Sequence, residues 1–347
     1  MKKTSIVYLK RIERLQKEIA SGAILIEDPL DVQYLTGIQL STGQLLVKKR
    51  SAYLFVDGRY TEAAKAQSPV PVKAYGLDQI KKHLTSKSTL IFDKNKTSYA
   101  RYLAYKSELK CHVKPGISYV SELRVIKDEQ ELVALKKSAR LLWKGYIFAK
   151  KQLKVGITEI EMVRRFETFV KANGAQGLSF DPIIAFGANT AMPHYHPGKA
   201  KLKKNDIVLM DMGVIVDGYC SDMTRTFFHG GPIKKLESVL QATIDAQAAA
   251  LELCKAGATI KDLDQAARKS MGPLKKHFVH SLGHGIGLEV HEEPRLTSKG
   301  VFANKTLEAG MVITIEPGIY IPKLGGVRIE DTVIVTKSGY ENITESL

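Results

Sequence analysis

Residues 205–226, NDIVLMDMGVIVDGYCSDMTRT, constrain the fold of this chain more than any other stretch. Residues 207–216 are rich in β-branched and apolar side chains, and Asp217-Gly218 is a strong two-residue turn signal. A type I′ turn there sets Val216 opposite Tyr219 and carries the register back until Gly213 faces Asp222. Asp211 then lies two residues away on the same face, a diagonal cross-strand neighbour at about 7–8 Å between Cα atoms. Two carboxylates on one face of apolar strands repel each other and are costly to bury without a counter-charge. The pattern calls for a metal ion between them, for a Lys or Arg side chain, or for an open, solvated face.

The elements around this hairpin occur twice. Asp128 is placed to cap a long helix with Leu132, Leu135, Ala139, Leu142 and Tyr146 on one stripe, and Thr158 with Glu161 forms a capping-box pattern that opens a second helix. After the hairpin, helices are expected over 236–254 and 259–271. Lys154-Val155-Gly156-Ile157-Thr158 resembles Lys255-Ala256-Gly257-Ala258-Thr259, and each would end one helix on Gly and cap the next with Thr. Strands bearing two acids follow each helix pair. The first pair is Asp211 and Asp222. The second is Glu316, just before Pro317, and Glu330, in an expected strand over 327–335. Helix, helix, strands, twice over, predicts a pseudo-twofold domain with a site between its halves.

Residues 1–123 read differently. Tyr8, Ile12, Leu15 and Ile19 fall at helical spacing, Gly22 ends that helix, and a strand follows at 23–26. Short apolar runs at 45–47, 53–56 and 90–92 alternate with helical stretches near 60–66, 77–84 and 99–105, the pattern of an α/β domain. No paired acids, glycine-rich phosphate loop or metal spacing occur there, so a folding or oligomerisation role is expected. A chain of 347 residues is too long for one ordinary core, and the change in pattern near Arg124 predicts two domains, 1–123 and 124–347.

The formal net charge of +16 raises nucleic acid as a partner. The lysines, however, are spread as short pairs such as Lys48-Lys49 and Lys203-Lys204, without an RNA-recognition motif or zinc-finger spacing, so solvated basic faces are expected instead. Three distant cysteines, Cys111, Cys220 and Cys254, argue for a reducing compartment and against a disulfide framework. Cys220 would share the aspartates' face and is read as a packed thiol rather than a ligand. The amino terminus lacks the apolar core of a signal peptide, and no run approaches membrane-spanning length, so a cytoplasmic location is expected.

His284 lies among glycines in His280-Ser281-Leu282-Gly283-His284-Gly285-Ile286-Gly287. A lone histidine there would be a hydrogen-bonded loop residue, but beside four acids on strands it is a candidate metal ligand. Four carboxylates and one imidazole suit Mn²⁺, Co²⁺, Fe²⁺ or Zn²⁺. Four negative charges balance two divalent ions, as in a two-metal hydrolytic centre with ions roughly 3.5–4 Å apart.

The set Asp211, Asp222, His284, Glu316 and Glu330 resembles the five-ligand signature of the pita-bread metallopeptidases, which include methionine aminopeptidase, aminopeptidase P, prolidase and creatinase. The segments MDMGVIVDGYCSDMTRTF, HSLGHGIGLEVHE, GMVITIEPGIYIP and GGVRIEDTVIV resemble the aminopeptidase P/prolidase branch, and DVQYLTGI and FVDGRYTEAA resemble that branch's first domain. Methionine aminopeptidases lack that domain, and creatinase does not keep this ligand set. The resemblance implies an α/β (α+β) chain, with a smaller creatinase/prolidase-like amino-terminal domain and a pseudo-twofold pita-bread catalytic domain. It implies two divalent metal ions, with manganese first and cobalt, zinc or iron as alternatives. Asp211 would chelate one metal, Asp222 and Glu330 would bridge both, and His284 and Glu316 would each complete one shell. Glu316 also resembles the acid that takes a proton from the attacking water. His194 resembles the histidine that contacts the scissile carbonyl, and His291 the one that stabilises the tetrahedral intermediate. His280 and Arg328 resemble pocket or supporting groups, with Arg328 pairing an acid. Arg295, in the HExPR pattern after His291, resembles an arginine of some prolidases that meets the substrate's terminal carboxylate; otherwise it pairs with Glu292 or Glu293. The resemblance therefore implies an exopeptidase cleaving Xaa-Pro bonds and acting as a homodimer. It is read as a prolidase-like dipeptidase, with aminopeptidase P as the alternative and a non-catalytic peptide- or protein-binding relative as the alternative of another class.

Overall fold

The computed structural model describes residues 3–344, with side chains from Ile6 onward; Met1, Lys2 and 345–347, at the two ends of the expected domains, lie outside the described residues. Contacts divide the chain into two compact units, Met1–Arg124 and Val125–Leu347.

The first unit is built on a six-stranded mixed sheet. Its strand Ala23–Ile26 pairs antiparallel with Gln44–Lys48 and parallel with Thr89–Asp93. All four of its residues are buried, as a strand covered on both faces requires. Alternation sends Ala23 and Leu25 to one face, where they join Leu77, Ile80, Tyr105 and Leu109 in a common core. The opening helix, Lys3–Lys17, ends before Ile19, although Ile19 remains buried as its spacing implied. Periodicity did not announce the helix Pro29–Thr36, which is too short to show a stripe. Its punctuation was nevertheless in the sequence: Asp28 caps it, Pro29 opens it and Gly37 closes it at φ 74°.

The second unit has two halves with the same order of elements. Helices Glu129–Gln152 and Glu159–Ala172 lead to strands Ile183–Phe186, Ile207–Met212 and Met223–Phe228. Helices Lys234–Glu252 and Ile260–Ser270 lead to strands Gly283–Gly285, Val312–Ile315 and Asp331–Val335. Gly156 and Gly257 take φ 92° and 90°, a left-handed conformation that only glycine adopts readily. Their N–H groups donate to Leu202 and Leu307, each at 2.8 Å. The first N–H groups of the following helices are satisfied in the same way. Glu159 and Ile160 donate to Ala200 and Gly198, while Ile260 and Lys261 donate to Lys305 and Ala303. Asp211 stands as far beyond Leu202 as Glu316 stands beyond Leu307. The weak sequence repeat is therefore a true structural repeat. Each half has its own core, one gathered around Leu142, Phe166 and Met210, the other around Leu263, Ile313 and Val333.

The hairpin keeps the simple register throughout. Asp217 and Gly218 both have positive φ, 51° and 82°, as a type I′ turn requires. Val216 pairs with Tyr219, Met212 with Met223, and Asp211 with Thr224. The ladder is interrupted at Gly213 and at residues 221–222, and its two pieces enter different sheets. Asp222 thus occupies a gap instead of a ladder position opposite Gly213. The expected strand over 327–335 is likewise broken, into Gly325–Arg328 and Asp331–Val335, with Glu330 in the gap. The halves meet at these gaps: Glu330 N–H donates to Thr224 O at 3.1 Å, and Thr332 Oγ1 to Asp222 O at 2.8 Å.

Thr158 and Thr259 cap equivalent helices, and only Thr158 is part of a reciprocal capping box. Thr158→Ala and Thr259→Ala should each lower the unfolding free energy by about 1 kcal/mol, with the larger loss at Thr158. Urea titration of the two variants checks this; two wild-type midpoints would refute the capping argument.

Candidate metal centre

A pocket of about 690 Å³ opens on the junction of the halves and is lined by Asp211, Asp222, His284, Glu316, Glu330 and Arg328, among others. Asp211 projects from Ile207–Met212, and Glu316 follows Val312–Ile315. Asp222 and Glu330 come from the two gaps. His284 lies on Gly283–Gly285, which is squeezed between neighbouring strands. A Cβ at Gly283 would fall 1.9 Å from Thr314 O, and one at Gly285 would fall 2.2 Å from Glu293 O. The glycines around His284 therefore let a strand pass where side chains would not fit.

Asp222, His284 and Glu330 each offer a ligand atom within 4.8 Å of the others. His284 Nε2 lies 3.7 Å from Asp222 Oδ2 and 3.5 Å from Glu316 Oε1. His284 Nδ1 is 3.1 Å from Gly285 O and serves as the donor there, which leaves the Nε2 lone pair facing carboxylates. Burial lowers the His284 pKa to about 4, so the ring is neutral. Burial, then the neighbouring carboxylates, raise Asp222 and Glu316 well above the usual range. Burial, with Asp211 next, pushes Glu330 up to about 8.

Arg328 is the protein's own counter-charge. Its Nη2 donates to Asp211 Oδ2, its Nε to Thr224 Oγ1 at 3.1 Å and its Nη1 to Tyr320 Oη at 2.7 Å. One guanidinium cannot neutralise four acids. Asp211 Oδ1 and Asp222 Oδ1 are buried without a hydrogen-bond partner, and an unmet buried carboxylate oxygen is expensive. Orphaned oxygens, a lone pair aimed at carboxylates and excess negative charge together fit divalent cations. They also answer the question left by the hairpin: an arginine pairs with one aspartate, and the surplus charge remains.

The other expected site residues divide into two groups. His194 and His291 line the pocket at exposed positions, and the His291 ring packs edge-on against His284 at 4.4 Å between centroids. Arg295 also lines the pocket, and among the described residues no acid lies within ion-pair distance of it. Glu292 is instead held by buried Lys127 at 3.0 Å. His280 has both ring nitrogens engaged, Nδ1 with Ser281 O at 2.8 Å and Nε2 with Tyr320 Oη at 2.9 Å. Since burial lowers its pKa to about 4, it is a neutral acceptor for the Tyr320 hydroxyl. His280 therefore acts on Asp211 through Tyr320 and Arg328. Cys220 is buried with Sγ 3.6 Å from Leu288 O and takes no part in the cluster.

Sequence reasoning missed Thr224 and Tyr320. Thr224 Oγ1 donates to Glu330 Oε2 at 2.6 Å while accepting from Arg328. No spacing rule marks either residue: the partners of Thr224, Arg328 and Glu330, lie 104 and 106 residues away, and Tyr320 gains its place between Arg328 and His280, 8 and 40 residues away, only in the folded chain.

The comparisons with known proteins agree with this geometry. The model for metallopeptidase family M24 matches residues 133–337, and that for the creatinase/prolidase N-terminal domain matches 9–126. An Xaa-Pro dipeptidase of Pyrococcus horikoshii is 36% identical over 342 residues, covering 97% of this chain and 96% of that protein. The structure of an Xaa-Pro dipeptidase from Bacillus anthracis superposes with a TM-score of 0.92 at 33% identity, covering 99% of this chain and 98% of that one. An X-Pro aminopeptidase from Thermotoga maritima gives a TM-score of 0.89 at 30% identity, covering 96% and 98%. With a metal-ready acid cluster at the junction of two repeated halves and these matches along nearly all of its length, the chain belongs to metallopeptidase family M24, with a creatinase/prolidase N-terminal domain ahead of its catalytic domain.

Proposed function

We propose that this protein is an Xaa-Pro dipeptidase working with two divalent metal ions, manganese first among them, held by Asp211, Asp222, His284, Glu316 and Glu330. The observation that carries the reading is the buried cluster itself, with its orphaned Asp211 and Asp222 oxygens. When bound, the ions supply Lewis acidity and an activated water. The chain's residues do the rest. Glu316, whose Oε1 lies 3.5 Å from His284 Nε2, takes a proton from the attacking water. His194 and His291, at the pocket wall, donate N–H groups to the substrate carbonyl and to the oxyanion it becomes. Arg328 and Tyr320 hold Asp211 in place. A cytoplasmic setting fits Cys111, Cys220 and Cys254, which form no disulfide among the described residues. The assembly proposed is a homodimer, on the resemblance of the first domain alone.

The dipeptidase reading rests on Arg295. It lines the pocket with no acid at ion-pair distance among the described residues, and a guanidinium holds a free carboxylate through two charge-assisted bonds. Similarity to an X-Pro aminopeptidase keeps action on longer peptides as the second reading. The assay compares Xaa-Pro with Xaa-Pro-Xaa, with Mn²⁺ and with chelator. Wild type should prefer the dipeptide and lose activity on verified metal removal. Arg295→Ala should lower kcat/KM for the dipeptide roughly 10- to 100-fold, the worth of a hydrogen bond to a charged group, and spare the tripeptide. Equal losses on both peptides would defeat the clamp.

Asp222→Asn should abolish turnover and reduce bound metal while leaving the thermal midpoint of the metal-free protein no lower than wild type, since it replaces a carboxyl whose charged form burial and the neighbouring acids disfavour. Normal metal content with normal turnover would refute the ligand assignment.

The pH dependence follows from Glu330. Its folded pKa, about 8, lies above the ordinary 4.5, so the folded metal-free protein binds more protons than the unfolded chain. The associated stability is fully present below about pH 4.5 and is lost as pH rises through about 8. Metal binds the deprotonated acids and releases those protons. The increase in thermal midpoint caused by Mn²⁺ should therefore grow between about pH 5.5 and 8. A metal-induced increase that is flat with pH would count against a carboxylate site of this kind.

A further inference from the structure

His194, Tyr195 and His196 form a strap along one wall of the pocket. Behind the strap lies Glu159, the first residue of the helix Glu159–Ala172, with 0% exposure. Its Oε1 accepts from Phe186 N at 2.9 Å and Asn189 Nδ2 at 3.0 Å, and its Oε2 accepts from Tyr195 Oη at 2.7 Å and Gly198 N at 3.1 Å. Asn189 Nδ2 also donates to Tyr195 Oη at 2.9 Å. A buried carboxylate is tolerated only when its oxygens are matched by donors, and here four are supplied.

The internal repeat shows that the fold does not need an acid at this position. The equivalent residue is Ile260, also 0% exposed, which makes the same backbone bond from the start of the equivalent helix to the equivalent loop. One half fills the position with an apolar side chain. The other pays for a buried charge there, and what that charge holds is the strap.

We propose that Glu159 and Tyr195 are positioning residues for His194: the bond from the Tyr195 hydroxyl to Glu159 fixes the backbone from which His194 reaches the substrate. This rests on the reading of His194 as a substrate-contacting group. Tyr195 and Gly198 are both tied to Glu159, so the residue before Tyr195 has little freedom. Without the hydroxyl bond, His194 would spend less time in reactive geometry, which needs placement within about 0.5 Å. Such a loss falls on kcat rather than on binding.

The test is a kinetic cycle on the metal-loaded protein, with an Xaa-Pro dipeptide as substrate and Tyr195→Phe, His194→Ala and their combination as variants. Tyr195→Phe should lower kcat about tenfold, leave KM within about twofold and metal content near wild type, and lower the thermal midpoint only modestly, because Gly198 N still donates to Glu159 Oε2. In the His194→Ala background, the same substitution should have no further effect. Glu159→Gln, which keeps shape but lacks the charge, should show the same kcat loss and the same dependence on His194. Equal losses in both backgrounds, or an unchanged kcat in Tyr195→Phe, would overturn the proposal while leaving the role of His194 intact. A His194→Ala variant with wild-type kcat/KM would instead remove the reading of His194, and the proposal with it.

Discussion

Four carboxylates share one guanidinium at the junction of the two halves, and the rest of the second unit is arranged to sustain that concentration of charge. Arg328 is itself buried, and although burial works against its charge, Tyr320, Asp211, Glu316 and Glu330 surround it and together hold its pKa well above normal. Removing the arginine would leave the acids uncompensated, and removing the acids would strand the arginine. The guanidinium reaches only part of the cluster, however. The deficit on the Asp222 side fits divalent cations, and the neutral His284, with its lone pair turned inward, offers a ligand atom beside Asp222 and Glu330.

Repetition explains how a chain can place acids from distant positions in one small volume. Each half delivers an acid at the end of a regular strand, Asp211 and Glu316, and another from a gap, Asp222 and Glu330. Where a ladder is interrupted, a side chain is no longer bound to alternate between faces. The gaps are also where the halves bond to one another, through Thr224, Thr332 and Arg225, whose Nη2 donates to Asp331 at 2.7 Å. Neither half alone holds a complete site, so the cluster exists only once the halves are joined.

Much of this was legible in the sequence. The turn at Asp217-Gly218, the capping pattern at Thr158 and Glu161, the repeat around Gly156 and Gly257, and the four acids with His284 all depend on local signals, with caps, turns and period-two strands read directly. Three features were not legible. Interruptions in a ladder, as at Asp222 and Glu330, leave no common compositional mark: Ser221 and Met223 flank one, Ile329 and Asp331 the other. The helix Pro29–Thr36 is too short for its periodicity to emerge. Partners such as Thr224, Tyr320 and Glu159 have ordinary neighbours and gain their roles only through tertiary contacts: Thr224 with Glu330, Tyr320 with His280 and Arg328, Glu159 with residues 186–198.

The two halves also differ, and their differences fall where chemistry would require them. At equivalent backbone positions, helix starts receive carbonyls from residues 198–200 in one half and 303–305 in the other. Ahead of the first loop stand His194, Tyr195 and His196, with a charged anchor behind them. Ahead of the second stand Arg295 and Phe302, which also line the pocket, with Ile260 in the anchor's position. A symmetric scaffold would present two identical walls to a substrate that has an amino end and a carboxyl end. Here one wall offers His194, Tyr195 and His196 and the other His291, Arg295 and Phe302, so only one of the two carries a guanidinium, and the pocket has a direction although the fold beneath it has a pseudo-twofold axis. The buried carboxylate of Glu159 belongs to that asymmetry: it stands behind the wall that carries His194, and apolar Ile260 takes the equivalent place in the half that carries Arg295.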